Sequence, residues 1–309
     1  MREALGALFL VITTGCQGLN SPAPPSLSSH RLPPVRSKLD ATLERISLYN
    51  RAGTITVHSS TEPELINHLT VCAETRKQAL AWGETCQLVT SSDGHGKLSL
   101  RFDRNMDLPL ERLGADLELR LPVHRALELR SRTGLIDTSS YIANELVVGT
   151  QSGTLRLGES RGQLRFTSNN GNIELLGSFR EAEGRSESAS LDVRHPEPGA
   201  RLRFETISGL TVLRIPRKTP VLLTFRTLRG KLVPELPVQR ERLSEPAPGH
   251  KGYSSWRIQI QGEGIAEGRV PFKAEISSES GALRLVRAAE IMTPDPAPQA
   301  SSRAKPCLQ

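Results

Sequence analysis

The feature that most constrains this chain is a long-period repeat punctuated by glycine. Gly134, Gly153 and Gly171 stand 19 and 18 residues apart, Gly209 follows after 38, and Gly230 comes next, with Gly53 and Gly281 toward the two ends. Ala189 fills the place between Gly171 and Gly209. A repeat of this kind decides the architecture before any single strand is assigned. Five residues before each centre stand Leu48, Leu129, Val148, Phe166, Phe204, Phe225 and Ile276, and only Gly184, in the Ala189 unit, departs. Three before stand Asn50, Ser131, Thr150, Ser168, Ser186, Thr206, Thr227 and Ser278. Two after come Ile55, Ile136, Leu155, Ile173, Leu191, Leu232 and Leu283, with Thr211 the exception. Four after come Val57, Leu157, Leu175, Val193, Leu213 and Leu285, against Thr138 and Pro234.

Each unit therefore reads as a short strand, a glycine-centred turn and a second short strand, with alternate side chains facing one apolar side. One unit cannot bury that side alone. Stacking the units in parallel, about 4.8 Å apart, pairs every strand and builds one continuous core. The predicted fold is all-β, a single-stranded parallel β-solenoid of repeats of about 18–21 residues, with short insertions. Gly53, Gly134, Gly153, Gly171, Gly209, Gly230 and Gly281 are its structural turn residues, explained by a backbone that needs positive φ. The Ser and Thr column falls on the apolar side by alternation, so its hydroxyls are expected to satisfy the turn backbone.

The amino terminus carries a different signal. Arg2, an apolar stretch from Ala4 to Ile12 and small residues before Cys16 have the layout of an export signal. Nine apolar residues are too few to span a bilayer, and no later stretch reaches about eighteen. Thr14, Gly15 and Cys16 resemble the bacterial lipoprotein signal, although Thr13 and Glu3 depart from its usual pattern. That resemblance implies cleavage before Cys16 and its diacylation, and two acyl chains suffice for stable attachment. Gln17, where an Asp would imply inner-membrane retention, implies the outer membrane. The expected layout is a signal peptide over 1–15, a lipidated terminus and Pro/Ser-rich tether over 16–41, the solenoid over 42–287 and a disordered tail over 288–309.

The run LVVGTQSGTLRLGESRGQLRFTSNNGNIELLG, from Leu146 to Gly177, resembles a bacterial family of unknown function labelled "putative adhesins". It is also similar to the head domain of autotransporter adhesins. The resemblance covers roughly Thr42 to Arg287. It implies the fold and an envelope location, and it carries over no catalytic residue.

Two segments interrupt the repeat. Between Glu62 and Arg104, Cys72 and Cys86 flank a piece with helical character, and two cysteines in an exported chain suggest a disulfide. Cys307 sits apart in the Pro/Ser-rich tail. Between Pro237 and Gly268, Tyr253 and Trp256 suit either a sugar platform or a cap over the end of the stack, and the cap suits repeat architecture better. The seven histidines show no ligand spacing, so neither metal nor cofactor is expected.

The formal charge is +7, but 40 Lys and Arg are interspersed with 33 Asp and Glu. With neither a basic run nor interleaved aromatics, nucleic acid is not an expected partner. Three residues after successive centres stand Asp137, Arg156, Glu174 and Asp192. On adjacent rungs Glu174 and Asp192 would lie about 5 Å apart, near the carboxyl separation of retaining glycosidases. Alternating ion pairs across a solvated sheet explain the same residues, as does Glu205 facing Arg226. The main functional expectation is thus a non-enzymatic envelope lipoprotein presenting a rigid surface to an envelope protein or a glycan, for binding, adhesion or scaffolding. A glycan hydrolase or lyase, and an envelope sensor or assembly factor, are the alternatives.

Overall fold

A computed structural model describes residues 27–84, 86–92, 97–103, 113–243, 252–262 and 270–288. Two short strands, β1 (Ser28–Arg31) and β2 (Val35–Lys38), precede the first repeat unit, β3 (Arg45–Ala52) and β4 (Ile55–Ser59). The first interruption holds β5 (Glu64–Ala73), helix α1 (Arg76–Glu84), β6 (Gln87–Ser92), β7 (Lys97–Asp103) and β8 (Leu113–Leu121). The central units run through their glycines as single long strands, β9 (Ala126–Ser140), β11 (Glu145–Leu157) and β12 (Glu159–Leu175), with the short β10 (Ile142–Ala143) between the first two. Later units divide at the turn into β13 (Phe179–Ser186) and β14 (Ser190–Val193), β15 (Arg201–Thr206) and β16 (Leu210–Ile215), then β17 (Val221–Thr227) and β18 (Leu232–Pro234). The second interruption supplies β19 (Gln239–Leu243) and β20 (Ser254–Ile260). The last unit is β21 (Phe272–Ser278) and β22 (Ala282–Arg287).

The centres stack in register. Gly153 lies opposite Gly134 on one side and Gly171 on the other, and Leu155 likewise lies between Ile136 and Ile173. Val148 sits between Leu129 and Phe166 in the same parallel ladders. The apolar columns are buried from Leu48 and Ile55 through to Ile276 and Leu285. Removing each such side chain from water contributes about 1.5–3 kcal/mol, so the alternation is the principal stabilising pattern. Thr138 and Thr211, the polar exceptions, are buried as well. Thr138 Oγ1 accepts the Gly158 amide at 3.1 Å, which satisfies it inside the core.

The sheet is mixed, whereas the repeat alone predicts a parallel one. β5 runs antiparallel to β1, β2 and β8, β6 runs antiparallel to β7, and β20 runs antiparallel to both β17 and β19. Residues 28–38, expected within the tether, are therefore partly strands on the edge of β5. The antiparallel pairs come from segments without the repeat, which return along the end rungs. At the far end the outer strand β19 reads QRERL and is solvent-facing, and β18 ends at Pro234. Charge and proline at sheet edges oppose association with other chains.

Spatial order also departs from chain order. β21 pairs with β15 on one side and β17 on the other, and β22 lies between β16 and β18. The last unit thus enters between two units that are consecutive in sequence. At the other end, β3 lies between β7 and β9, and β4 between β8 and β9. Glu205 and Arg226 are consequently separated by Ser277, and the pairing expected between them does not form.

Positive φ explains only part of the glycine column. Gly171 has φ 120°, a left-handed conformation that other residues resist. Gly153, Gly230 and Gly281 do not lie in that region. Their constraint is close approach: a Cβ on Gly153 would stand 2.0 Å from the Gly134 carbonyl oxygen, and one on Gly230 would stand 1.9 Å from that of Gly281. Gly184 has another reason. Phe166 and Phe204 lie opposite it on the two neighbouring rungs, and their rings stack with centroids 6.0 Å apart in the space its side chain would occupy.

Candidate functional site

One outward face carries the acidic pair. β12 and β14 place Glu174 directly opposite Asp192, and Arg156 lies between Asp137 and Glu174. Arg156 reaches Asp137 at 3.3 Å and Glu174 at 3.6 Å. Arg194 reaches Glu174 and Asp192, both at 3.3 Å, and Arg214 reaches Asp192 at 2.8 Å. A glycosidase needs one acid protonated and both open to the sugar. Here each carboxylate instead faces two guanidinium groups in a continuous ion-pair chain. Such half-buried pairs at a solvated face contribute about 1 kcal/mol each, so their weight lies in occupying the acids more than in stability. Arg194 and Arg214 are absent from the sequence reading. Their signal was available, since they stand five residues after Ala189 and Gly209 on the side of the acids.

The other outward face, formed by the strands before the turns, holds shallow depressions. One, of about 270 Å³, is lined by Arg185, Glu205, Ile207, Tyr253, Ser277 and Glu279 among others. Burial and the Glu279 carboxylate push the Tyr253 phenol up. A second, of about 350 Å³, lies among Glu181, Glu183, Arg201, Arg203, Lys273 and Glu275. A third, of about 380 Å³, lies among Arg130, Val147, Gly149, Arg165, Thr167 and Arg185. Neighbouring charges are again paired: Arg130 with Glu128 at 3.0 Å, Arg203 with Glu205 at 3.0 Å, Arg185 with Glu205 at 3.4 Å and Arg226 with Glu275 at 3.7 Å.

Trp256 does not join this face. It packs against the core opposite Phe225, with the Arg240 and Arg242 guanidinium groups 6.0 and 5.9 Å from its ring centroid. An indole between core and cations serves as an end cap. Tyr253 lines the first depression.

The turn edge carries hydroxyls at two positions. In the predicted column, Ser131 and Ser168 each donate to the carbonyl two residues on at 2.9 Å, while Thr227 and Ser278 each accept the following glycine amide at 2.7 Å. A second, less regular column, one residue before the centre in five units, was missed. Thr133, Ser188, Ser208 and Ser280 donate at 3.3–3.5 Å to the carbonyls of Arg51, Asn169, Glu187 and Ile207 on the preceding rung.

Cys72 is buried in β5 and disulfide-bonded. Cys86 Sγ lies 3.4 Å from the Trp82 carbonyl oxygen, to which its thiol donates. Cys86 thus packs back onto the last turn of α1. Cys16 and Cys307 lie outside the described residues. Among the described residues no group of three or more His, Cys, Asp or Glu could hold a metal ion. No helix among them is long and apolar enough to cross a membrane.

No family model matches the chain, and no curated protein matches it. Among solved structures it is similar to a "putative adhesin" from Bacteroides fragilis, at 12% identity and a TM-score of 0.39, covering 85% of this chain and 99% of that one. It is similar to a "putative cell adhesion protein" from Clostridium sporogenes, at 9% identity and a TM-score of 0.31, covering 82% and 99%. A "putative lipid binding protein" from Parabacteroides distasonis is similar at 12% identity and a TM-score of 0.35, covering 82% and 97%.

Proposed function

We propose that this chain is a non-enzymatic lipoprotein of the bacterial cell envelope, anchored through Cys16, whose β-solenoid presents a rigid binding surface. In this reading residues 1–15 are removed, the segment over 16–41 connects the lipid to the repeats and joins the sheet edge through β1 and β2, and 42–287 form the solenoid. The lipid sits in the outer membrane, and the partner is an envelope protein or a glycan. The observation that carries the reading is the chain of ion pairs from Asp137 to Arg214, which commits Glu174 and Asp192 to arginines and leaves the stack a scaffold. In-register stacking supports rigidity, because each rung is held on both sides by parallel ladders.

The test is fractionation of cells expressing the full chain, with and without globomycin. The reading expects a membrane-bound mature form, accumulation of a longer precursor under globomycin, and release of Cys16→Ser. An unmodified, freely soluble wild-type protein overturns the anchor. Turnover of an acidic or neutral polysaccharide that is lost in Glu174→Gln overturns the non-enzymatic part.

A further inference from the structure

Gly149 is a glycine that its strand does not require. It stands at an outward position inside β11, and it is absent from the residues with positive φ. No backbone crowds it: a Cβ there would meet only the Thr167 hydroxyl at 3.0 Å and the Arg130 Cγ at 4.0 Å. Both are mobile parts of side chains, unlike the carbonyl oxygens that exclude a Cβ at the turn centres. A strand-interior glycine lowers stability and often marks a bulge, a tight bend or a close approach by backbone or ligand, and Gly149 sits in regular register with no backbone near its Cβ position. Its consequence here is the 380 Å³ depression, walled by Arg130 and Thr167 and flanked by Arg165 and Arg185. Arg130 and Arg185 are each held by a carboxylate, Glu128 and Glu205. Arg165 is exposed and has no ion-pair partner among the described residues.

We infer that this depression binds one anionic group of an acidic glycan. A planar guanidinium is suited to two-point recognition of carboxylate, sulfate or phosphate. Arg165 supplies that fork, Arg130 and Arg185 supply positive potential already oriented by their own partners, and the Thr167 hydroxyl supplies a further donor. The missing side chain at Gly149 gives the anion room to reach the sheet. A glycan suits the surroundings better than a lipid or nucleic acid, because the depression is open and edged by charged side chains, and Phe166 on its floor is buried and stacked on Phe204, so it offers no ring face to a base. Glu183 also borders the neighbouring depression beneath Arg201, Arg203 and Lys273, so a chain of sugars can extend along the face. This inference rests on the chain being a binding protein, but its test is independent of membrane anchoring.

Titration of the purified full chain with oligogalacturonate, sulfated oligosaccharide, inorganic phosphate and a neutral maltooligosaccharide, read by calorimetry, decides it. Acidic oligosaccharide is expected to bind and the neutral one not to. Arg165→Gln should weaken binding by about tenfold or more, the effect of one charged hydrogen-bonded contact. Gly149→Thr should abolish binding while leaving the melting temperature equal or higher, an outcome that a merely structural glycine does not produce. If Gly149→Thr unfolds the protein, Thr167→Val and Arg165→Gln carry the test. Equal binding of the neutral oligosaccharide, binding of phosphate alone, no binding of any anion, or affinity unchanged in Arg165→Gln overturns the inference.

Discussion

Gly184→Ala tests whether the core is packed across rungs as the register indicates. A Cβ at this position would lie 2.0 Å from Phe166 Cε2 and 2.2 Å from Cζ. Ordinary carbon–carbon contacts are about 3.5–4.0 Å, so the ring must retreat by roughly 1.5 Å. Its retreat is limited, because Phe166 stacks on Phe204 at 6.0 Å and both are buried. Overpacking of this kind costs about 1–3 kcal/mol, and the reduced freedom of alanine in the unfolded chain returns under about 1 kcal/mol. Gly184→Ala should thus destabilise by about 1–2 kcal/mol. Phe166→Leu, which leaves a cavity, should cost about 1–3 kcal/mol. Combined, the new methyl occupies part of that cavity, so the double variant should be more stable than the sum of the singles by about 1–2 kcal/mol. Urea unfolding followed by circular dichroism measures all four proteins, with slopes compared to confirm that the same surface unfolds. Additive energies, or a neutral Gly184→Ala, refute the claim that the two phenylalanines occupy the volume above this glycine.

Other consequences follow from separate parts of the molecule. Gly153→Ala, whose Cβ would meet the Gly134 carbonyl at 2.0 Å, should cost more than about 2 kcal/mol in the same assay, since backbone and not a side chain must move. Ending the chain before Val270 removes β21 and β22 from between two other units. Hydrogen exchange should then show lost protection over Val221–Thr227, whereas stacking in chain order predicts loss only at the missing unit. Burial raises the pKa of Tyr141, whose hydroxyl donates to the Pro122 carbonyl at 2.7 Å. The protonated phenol is favoured by folding, so this stability is complete below pH 10 and is lost as the pH rises through the folded-state value. Tyr141→Phe should flatten the alkaline end of a stability profile. Asp192→Asn, which weakens half-buried ion pairs to Arg194 and Arg214, should change the unfolding free energy by no more than about 1–2 kcal/mol.

The sequence by itself determined the strand alternation, the in-register centres and the all-β class, because these depend on side-chain period and local turn chemistry. It placed Arg156 between Asp137 and Glu174 for the same reason, since those units are consecutive both in sequence and in space. Only the tertiary structure decided which units are neighbours at the ends. Parallel rungs share one register, so nothing local to Phe272–Arg287 distinguishes stacking outside β17 from entry between β15 and β17, and the Glu205 to Arg226 pairing was misread for want of it. The antiparallel returns of β5 and β20 are likewise non-local. Gly149 lies between these cases. Its residue type is plain in the sequence, but the depression it opens exists only because three neighbouring strands bring Arg130, Arg165, Thr167 and Arg185 around it.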